Sequence, residues 1–444
     1  MSSTIFNHIK AGWQHAGFQK YFKDTGWALF GKVFSLGISF ITSIYVIRHL
    51  GPSNYGLLTF SVSFVSLFSF IASLGVDSVL YRELSKDISK KDELIGTALF
   101  LKVIASCVAI LAIWVTMFLT NTDAVTKLLI AINSCTLLFA SFTVIGYYFQ
   151  AKVQAQYQAI SLIGVTLILN TLKVLVLYFN KGMIYFAFVL FLEYILYALF
   201  TFYFYSRSGN RLRDLTVKST VAYSLLKDSW PLMLSSAFII IYTRIDQVML
   251  KFITTDFNVG IYDAAARISE VWYFIPALII SSVFPAIINA QKVDEAMFTG
   301  RLTKLYSVLF YMSFLVALPI TFFSDMIIRT IYGPAFIQAG GVLSIYVWAG
   351  IPVFISMAVN TYLLAENKNT VAFVSSVIGM ITNVLLNLWF IPLYGVYGAA
   401  YATLISYSLV PLSVILFKDT RGQLVLIKNG ITIPFVWFTK TVWK

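Results

Sequence analysis

Charge is what this chain most lacks: Asp, Glu, Lys and Arg together make up 11% of its 444 residues. Water-soluble domains carry about 25%, so a soluble fold of this size is excluded at the outset. Cysteine is nearly absent. Cys107 and Cys135 fall inside apolar runs, where they read as small buried hydrophobes and supply neither a disulfide framework nor a metal site. The three histidines, His8, His15 and His49, lie outside the apolar runs, and neither HExxH nor a GxxxxGK[ST] phosphate loop occurs. No metal, no cofactor and no nucleotide hydrolysis by that route are expected. Long polar insertions are missing too. The longest expected outer segment, about 325 to 340, is short for a catalytic domain, so movement of a solute without chemistry, and not an enzyme, is the expectation.

What remains is apolar. Hydrophobic residues are 59% of the chain and mean hydropathy is +0.83. Repeated apolar runs of spanning length read as helices, which satisfy their own backbone groups in lipid. The expected fold is all-α and membrane-embedded, with twelve spans at about 25–47, 57–80, 94–118, 127–149, 157–178, 183–205, 229–250, 259–288, 303–324, 341–364, 370–390 and 396–417. These divide into a segment 1–24, a six-helix bundle 25–205, a linker 206–228, a second six-helix bundle 229–417 and a tail 418–444. In the linker, Val217, Val221, Leu225 and Leu226 read as the apolar edge of a surface helix.

The basic residues set the orientation. With the N-terminus inside, twenty-two of the 32 lysines and arginines fall on the inner side, five on the outer side and five within spans. The positive-inside rule then places both termini and the linker in the cytoplasm. The net charge of +13 reports that topology and leaves no call for nucleic acid. The first 23 residues lack the core and cleavage site of a secretory signal, so the first span is expected to be retained. Phe6, Ile9, Trp13, Phe18 and Phe22, with Lys10, Lys20 and Lys23, form the pattern of a short interfacial helix.

The charges left inside the spans are the candidate site. An ionised group at mid-membrane costs about 2.5–3.5 kcal/mol by insertion scales and is usually retained for a polar interior or a transport path. Arg244 and Asp246 lie in the seventh span. They are two residues apart, about 200° around a helix, so one is expected to face a cavity while the other locks a neighbouring helix. Asp263, Arg267 and Glu270 share one face of the eighth span. Lys32 leads a polar face in the first span, and Thr59, Ser63, Ser66, Ser73 and Asp77 recur at helical spacing in the second, Asp77 within reach of Arg82. Lys173 and Glu193 are weaker candidates. Polar faces on several spans imply a shared wet cavity. Weak internal symmetry points the same way: Asn170, Gly182 and Tyr194 repeat as Asn383, Gly395 and Tyr407, and Tyr55-Gly56 mirrors Val259-Gly260.

The stretches RHLGPSNYG (48–56), LGVDSVLYREL (74–84), SWPLMLSSAFIIIYTRIDQVML (229–250) and VGIYDAAARISEVWYFIP (259–276) resemble the polysaccharide-biosynthesis branch, the O-antigen repeat-unit flippases, of the multidrug, oligosaccharidyl-lipid and polysaccharide exporter superfamily. The resemblance implies two six-helix bundles around a cavity open alternately to each side. It also implies carriage of a polyprenyl-diphosphate-linked oligosaccharide to the periplasmic leaflet of the inner membrane. Membrane lipids are implied partners, with polysaccharide polymerase and chain-length machinery nearby. Lys32, Arg244 and Arg267 would then supply positive charge, Arg244 reading the diphosphate, while Asp77, Asp246, Asp263 and Glu270 would exchange partners between states. A cation-coupled multidrug exporter is the alternative within the superfamily, and a non-transporting subunit or enzyme of polysaccharide assembly the alternative outside it.

Overall fold

The computed structural model describes residues 16–432 except 121 and 292, and the side chains of 16–25 and 28 stand outside it. The side chains of the expected interfacial aromatic pattern and the end of the basic tail therefore lie outside what the structure describes. Within them the chain is helical, with no strand. Eleven segments are long and apolar enough to cross a membrane, and the protein is a multi-pass membrane protein.

The first of those segments, Leu29–Ser66, holds most of the first expected span and the start of the second. Helix α1 (Ala16–Ser66) is interrupted at Gly51, whose φ of 68° and ψ of 171° are non-helical. That region is open to glycine without a Cβ clash. Pro52 follows, with φ preset for a first helical turn and no N–H to leave unpaired. The twelve-span expectation is consistent with this break.

The second span is less regular than expected. After α1 come α2 (Ser69–Ser73) and α3 (Val76–Lys86), separated by left-handed Leu74 and Gly75. A Cβ on Gly75 would press on the backbone between Ser229 and Met233, so the break lets two chains approach closely. The polar ladder therefore does not run on one continuous helix to Asp77.

Packing groups the chain into two units, and the helix break coincides with one border. Unit one comprises the chain through Leu50 and Phe64–Ala237; unit two comprises Gly51–Ser63 and the chain from Phe238 onward. In unit one, α4 (Lys91–Leu119), α5 (Ala124–Ser134), α6 (Thr136–Ala140) and α7 (Val144–Ala151) lead to the long helices α8 (Ala155–Tyr178) and α9 (Met183–Arg207). Its core gathers Val76, Leu80, Leu84, Ile95, Tyr148 and Tyr205.

Next comes α10 (Ser219–Ile253), which begins ten residues before the expected seventh span. The second half of the linker is thus the start of that helix, not a separate surface helix. Leu225 is buried with Val221 packed beside it, while Val217 and Leu226 are exposed. Thr216 donates its backbone N–H to the Asp92 carbonyl at 3.2 Å, and Lys218 pairs with Glu93.

Unit two continues through α11 (Asp256–Glu270), a 3-10 turn at Val271–Tyr273, α12 (Phe274–Gln291) and α13 (Glu295–Ile331). After α14 (Ala339–Tyr346) and α15 (Gly350–Ala365) come α16 (Asn369–Tyr394) and α17 (Val396–Leu412). Phe284, Tyr306, Phe354 and Tyr362 anchor its core. In the expected tail, α18 (Gly422–Thr432) folds back on α13. Gln423 accepts from the Tyr306 hydroxyl at 2.8 Å, and a Cβ on Gly430 would meet the backbone of Thr303 and Ser307.

Large apolar side chains such as Phe118, Tyr178 and Phe322 point outward, as a lipid-facing surface requires. Cys107 and Cys135 are exposed on that same surface, correcting the expectation that they are buried.

Candidate functional site

The charges of the seventh and eighth spans sort into three arrangements, all within unit two. The first is a buried lock. Asp246 is 1% exposed, and four donors on three other helices converge on its carboxylate. Tyr262 of α11 donates to Oδ2 at 2.7 Å, and Thr403 of α17 does so at 2.9 Å. Asn383 and Asn387 of α16 donate to Oδ1 at 3.1 and 2.5 Å. The two asparagines are one helical turn apart, so both reach the same oxygen. Asp246 is tied into the packing and has no Lys or Arg within ion-pair distance among the described residues.

The second is a helix crossing. A Cβ on Gly56 would collide with the Asp256 carbonyl, and one on Gly260 with the Pro52 carbonyl, so only glycine at both positions lets α1 and α11 approach this closely. These are the residues of the Tyr55-Gly56 and Val259-Gly260 sequence mirror. The crossing carries Asp263, which accepts a hydrogen bond from the Tyr55 hydroxyl and a longer one, 3.4 Å, from Thr59. Arg267 lies 3.8 Å from Asp263 with its guanidinium over the Tyr55 ring, and its side chain is 45% exposed. Asp263 is therefore held by a neighbouring helix, while Arg267 keeps a free edge.

The third is a cavity of about 330 Å³. Arg244 and Thr243 of α10, Glu270 and Tyr273 at the end of α11, Ser356 and Asn360 of α15, and Tyr242 and Tyr407 line it, with a few apolar side chains. Glu270 accepts from the Tyr346 hydroxyl at 2.8 Å, which fixes one carboxylate oxygen. Glu270 and Asp263 act on Arg244 electrostatically, yet no carboxylate stands within 4 Å of its guanidinium among the described residues. The angular argument from the sequence is met geometrically: Asp246 turns into the packing and Arg244 turns to the cavity. Glu270 shares that cavity, whereas Asp263 and Arg267 belong to the glycine crossing.

Unit one holds the remaining candidates. Asp77 does not pair with Arg82. Its carboxylate receives Lys102 Nζ at 2.7 Å, and Thr143 Oγ1 is 3.4 Å from the same nitrogen. Arg82 instead pairs with Glu83 at 2.9 Å and with Asp228. Lys102 is almost fully buried, and a long-range partner was the missing clue to its importance. Lys173 acts electrostatically on Glu193, both half-buried. Lys32 is exposed and is not among the side chains that line the unit-two cavity. Asn170, the counterpart of Asn383, donates to the Thr166 carbonyl at 2.7 Å and to Ser39 at 3.5 Å. No group of three or more His, Cys, Asp or Glu side chains suited to a metal occurs among the described residues.

Sequence reasoning missed Lys102, Asn387, Thr403, Tyr262, Tyr242, Tyr273, Ser356 and Asn360. Asn387 carried a usable signal, an amide one turn from Asn383 in an apolar helix. The tyrosines did not stand out among the 26 of the chain.

Known proteins place this architecture. The fold is similar to that of the lipid II flippase MurJ in an inward closed conformation, with a TM-score of 0.67 at 16% identity over 91% of this chain and 90% of that one. It is likewise similar to an inward-facing multidrug resistance MATE family transporter of the MOP superfamily, with a TM-score of 0.66 at 14% identity, covering 88% and 95%. In sequence, the chain is 23% identical over 395 residues to the probable low-salt glycan biosynthesis flippase Agl15 of Haloferax volcanii, covering 85% of this chain and 79% of that one. It is 31% identical over 175 residues to the probable flippase AglR of the same organism, covering 38% of this chain and 36% of AglR. The family model described as polysaccharide biosynthesis protein matches residues 21–291, more than half of the chain. With the two-unit helical fold and the sequence motifs of spans seven and eight, that match means that the chain belongs to the polysaccharide biosynthesis protein family.

Proposed function

We propose that the protein is a flippase for a lipid-linked glycan: a polyprenyl-diphosphate-linked oligosaccharide repeat unit, of the kind assembled into O-antigen and lipopolysaccharide. It carries this substrate from the cytoplasmic to the periplasmic leaflet of the inner membrane by alternating access, with both termini in the cytoplasm. The expected bundles 25–205 and 229–417, adjusted so that 51–63 moves with the second and 229–237 with the first, are the bodies that move. Polymerase and chain-length proteins consume the product on the far side, and no bond is made or broken in the carrier.

The observation that carries this reading is Arg244. A guanidinium deep in a membrane protein, lining a cavity of hydroxyl, amide and aromatic groups and lacking a carboxylate within 4 Å, is suited to an anionic, hydroxyl-rich substrate. Charged groups inside spans are usually paired, and the partner of Arg244 is supplied by cargo. Lys32, Arg267, Asp77, Asp263 and Glu270 belong to the wider path as charges that change partners between states, with Lys173 and Glu193 peripheral to it. Asp246 contributes by fixing the helix that presents Arg244. A multidrug exporter for cationic compounds is disfavoured by the same Arg, because it would repel that cargo.

The test uses vesicles reconstituted with full-length protein and a defined polyprenyl-diphosphate glycan in one leaflet. Exposure of the glycan to an external lectin should rise with protein present, the glycan should remain covalently unchanged, and Arg244→Gln should slow the exposure. Covalent alteration of the glycan, or exposure no faster than in protein-free vesicles, contradicts the reading.

A further inference from the structure

After α17 the chain turns back on itself. A 3-10 turn at Ser413–Leu416 leads into a tight loop, and α18 then lies against α13. Thr420 closes the loop by donating to the Val414 carbonyl at 2.8 Å. The Tyr311 hydroxyl donates to the Ile431 carbonyl at 2.9 Å and fixes the far end of α18. Gln423, Ile427 and Gly430 form the buried side of this helix. Arg421, Val425, Lys428 and Thr432 recur at the spacing of one helical face, and all four are exposed. That face carries an aliphatic side chain between two cations.

The cations here are positioned without being neutralised. Arg421 donates its Nε–H to the Ile415 carbonyl at 2.8 Å, which leaves both ends of the guanidinium fork open. Lys368, in the turn between α15 and α16, donates to the Asp419 carbonyl at 3.0 Å and to the Tyr362 hydroxyl at 3.2 Å. A separate stretch of chain thus brings its charge to the same loop. None of Lys368, Lys418, Arg421 and Lys428 has a carboxylate within 4 Å among the described residues. The acids nearest in sequence are Asp419 and Glu366, and Glu366 accepts from Gln291 at 3.0 Å. In unit one, by contrast, Arg82, Lys86, Lys90, Lys91 and Lys218 all hold carboxylates. Helix α18 also begins with no acidic residue in its first turn, so the positive end of its dipole adds to the same field.

Beside the cations the surface is aliphatic. Leu412, Ile415 and Leu416 are exposed just before the loop, and Val425 is exposed on α18. Hydrocarbon-seeking side chains are therefore followed within a few residues by unpaired positive charge. Basic pockets between spanning helices at the inner surface take anionic headgroups, and this profile matches acyl chains lying beside a phosphate. A soluble anion would meet the cations and leave the aliphatic side chains uncovered. A zwitterionic lipid would cover them but bring its own cation against the others. A phospholipid with a net negative headgroup meets both demands.

We propose that the loop 417–421, the Lys368 turn and the outward face of α18 form a binding site for one anionic phospholipid of the inner leaflet. The open fork of Arg421, with Lys418, takes the phosphate, and Leu416 and Val425 lie along the acyl chains. Bound lipid holds α18 to the bilayer and, through the Tyr306 and Tyr311 contacts, steadies α13. The placement of this end at the inner leaflet comes from the proposed function, but the binding chemistry can be tested without transport.

Full-length protein stripped of lipid in neutral detergent is titrated with phosphatidylglycerol, with phosphatidylcholine of the same acyl chains and with inorganic phosphate, and bound lipid is counted by native mass spectrometry. The wild type should hold phosphatidylglycerol at least about tenfold more tightly than phosphatidylcholine, and inorganic phosphate at matching concentration should not displace it. The triple variant Lys418→Gln, Arg421→Gln, Lys428→Gln should lose that preference. The triple variant Arg207→Gln, Arg211→Gln, Arg213→Gln, which removes as many cations from the linker, should keep it. Photoactivatable phosphatidylglycerol should crosslink the wild type between 412 and 428, a readout that needs no variant to fold. Equal binding of the two lipids, displacement by phosphate alone, equal loss in both triple variants, or crosslinks confined to other segments overturns the site. Vesicles that move lipid-linked glycans while the wild type shows no lipid preference defeat only the site. Lipid preference without movement of any lipid-linked glycan leaves the site standing and defeats the flippase reading.

Discussion

Arg244 and Asp246 sit two residues apart on one helix and live in opposite chemical worlds. Around Asp246, Tyr262, Asn383, Asn387 and Thr403 satisfy the carboxylate from three other helices. Around Arg244, no carboxylate stands within 4 Å and the side chains of Ser356 and Asn360 make no hydrogen bond among the described residues. A fully paired buried charge holds packing in one arrangement, and an unpaired one beside open space waits for something else. Intramembrane charge by itself therefore does not mark a binding residue. The state of its neighbours does.

The largest expected effect tests the paired side of this contrast. Asp246→Ala leaves four buried donors without their acceptor, and each orphaned group costs about 1–3 kcal/mol. Monodisperse protein in detergent size exclusion should largely disappear, whereas Arg244→Gln should elute like wild type. A well-behaved Asp246→Ala protein would show that the cluster is not a lock.

Next in size is the glycine crossing. Gly260→Val places its Cβ on the Pro52 carbonyl, an overpacking worth about 1–3 kcal/mol or more. The melting temperature should fall clearly, and Gly56→Val should act alike. Unchanged melting in both would mean that α1 and α11 part at no cost.

Arg244→Gln comes third in stability and first in function. Melting should shift little, while glycan movement falls at least about tenfold, as expected for losing a charge-assisted bond to cargo. Because Arg244 and Asp246 face different surroundings, adding Asp246→Asn should give no rescue. Recovery in the double variant would restore the pair as a structural unit.

The smallest effect belongs to the surface. Lys86, 2.9 Å away, and then Arg82 hold the Glu83 carboxyl below the usual glutamate range. A lowered folded-state pKa contributes stability above the unfolded value near pH 4.3 and loses it as pH falls through the folded value. With these side chains partly exposed, the contribution is about 1 kcal/mol or less. The melting difference between wild type and Glu83→Gln should be present at pH 7 and vanish by about pH 3. A difference that persists there assigns the effect to packing.

Much of this was legible in the sequence, for physical reasons. Apolar runs with few charges report membrane spans, and helical geometry alone separates Arg244 from Asp246. The Gly51-Pro52 pair marks a helix end through backbone sterics. What stayed hidden depends on chain closure. The Asp246 partners on α16 and α17 lie 137 to 157 residues away, and no local pattern pairs them. Asp77 offered Arg82 nearby, yet Lys102 on the next long helix is its partner. The serine ladder looked continuous because helical spacing is blind to a left-handed pair such as Leu74-Gly75. Exposure of Cys107 and Cys135 was missed because lipid, like a core, accepts small apolar side chains.

The most direct measurement is the rate at which a defined polyprenyl-diphosphate glycan becomes lectin-accessible in vesicles holding equal amounts of folded wild type, Arg244→Lys or Arg244→Gln. The account predicts rapid exposure with wild type, an intermediate rate with Lys and a rate near protein-free vesicles with Gln. Equal rates for all three proteins would contradict it, because the unpaired guanidinium in the cavity would then have no part in moving cargo.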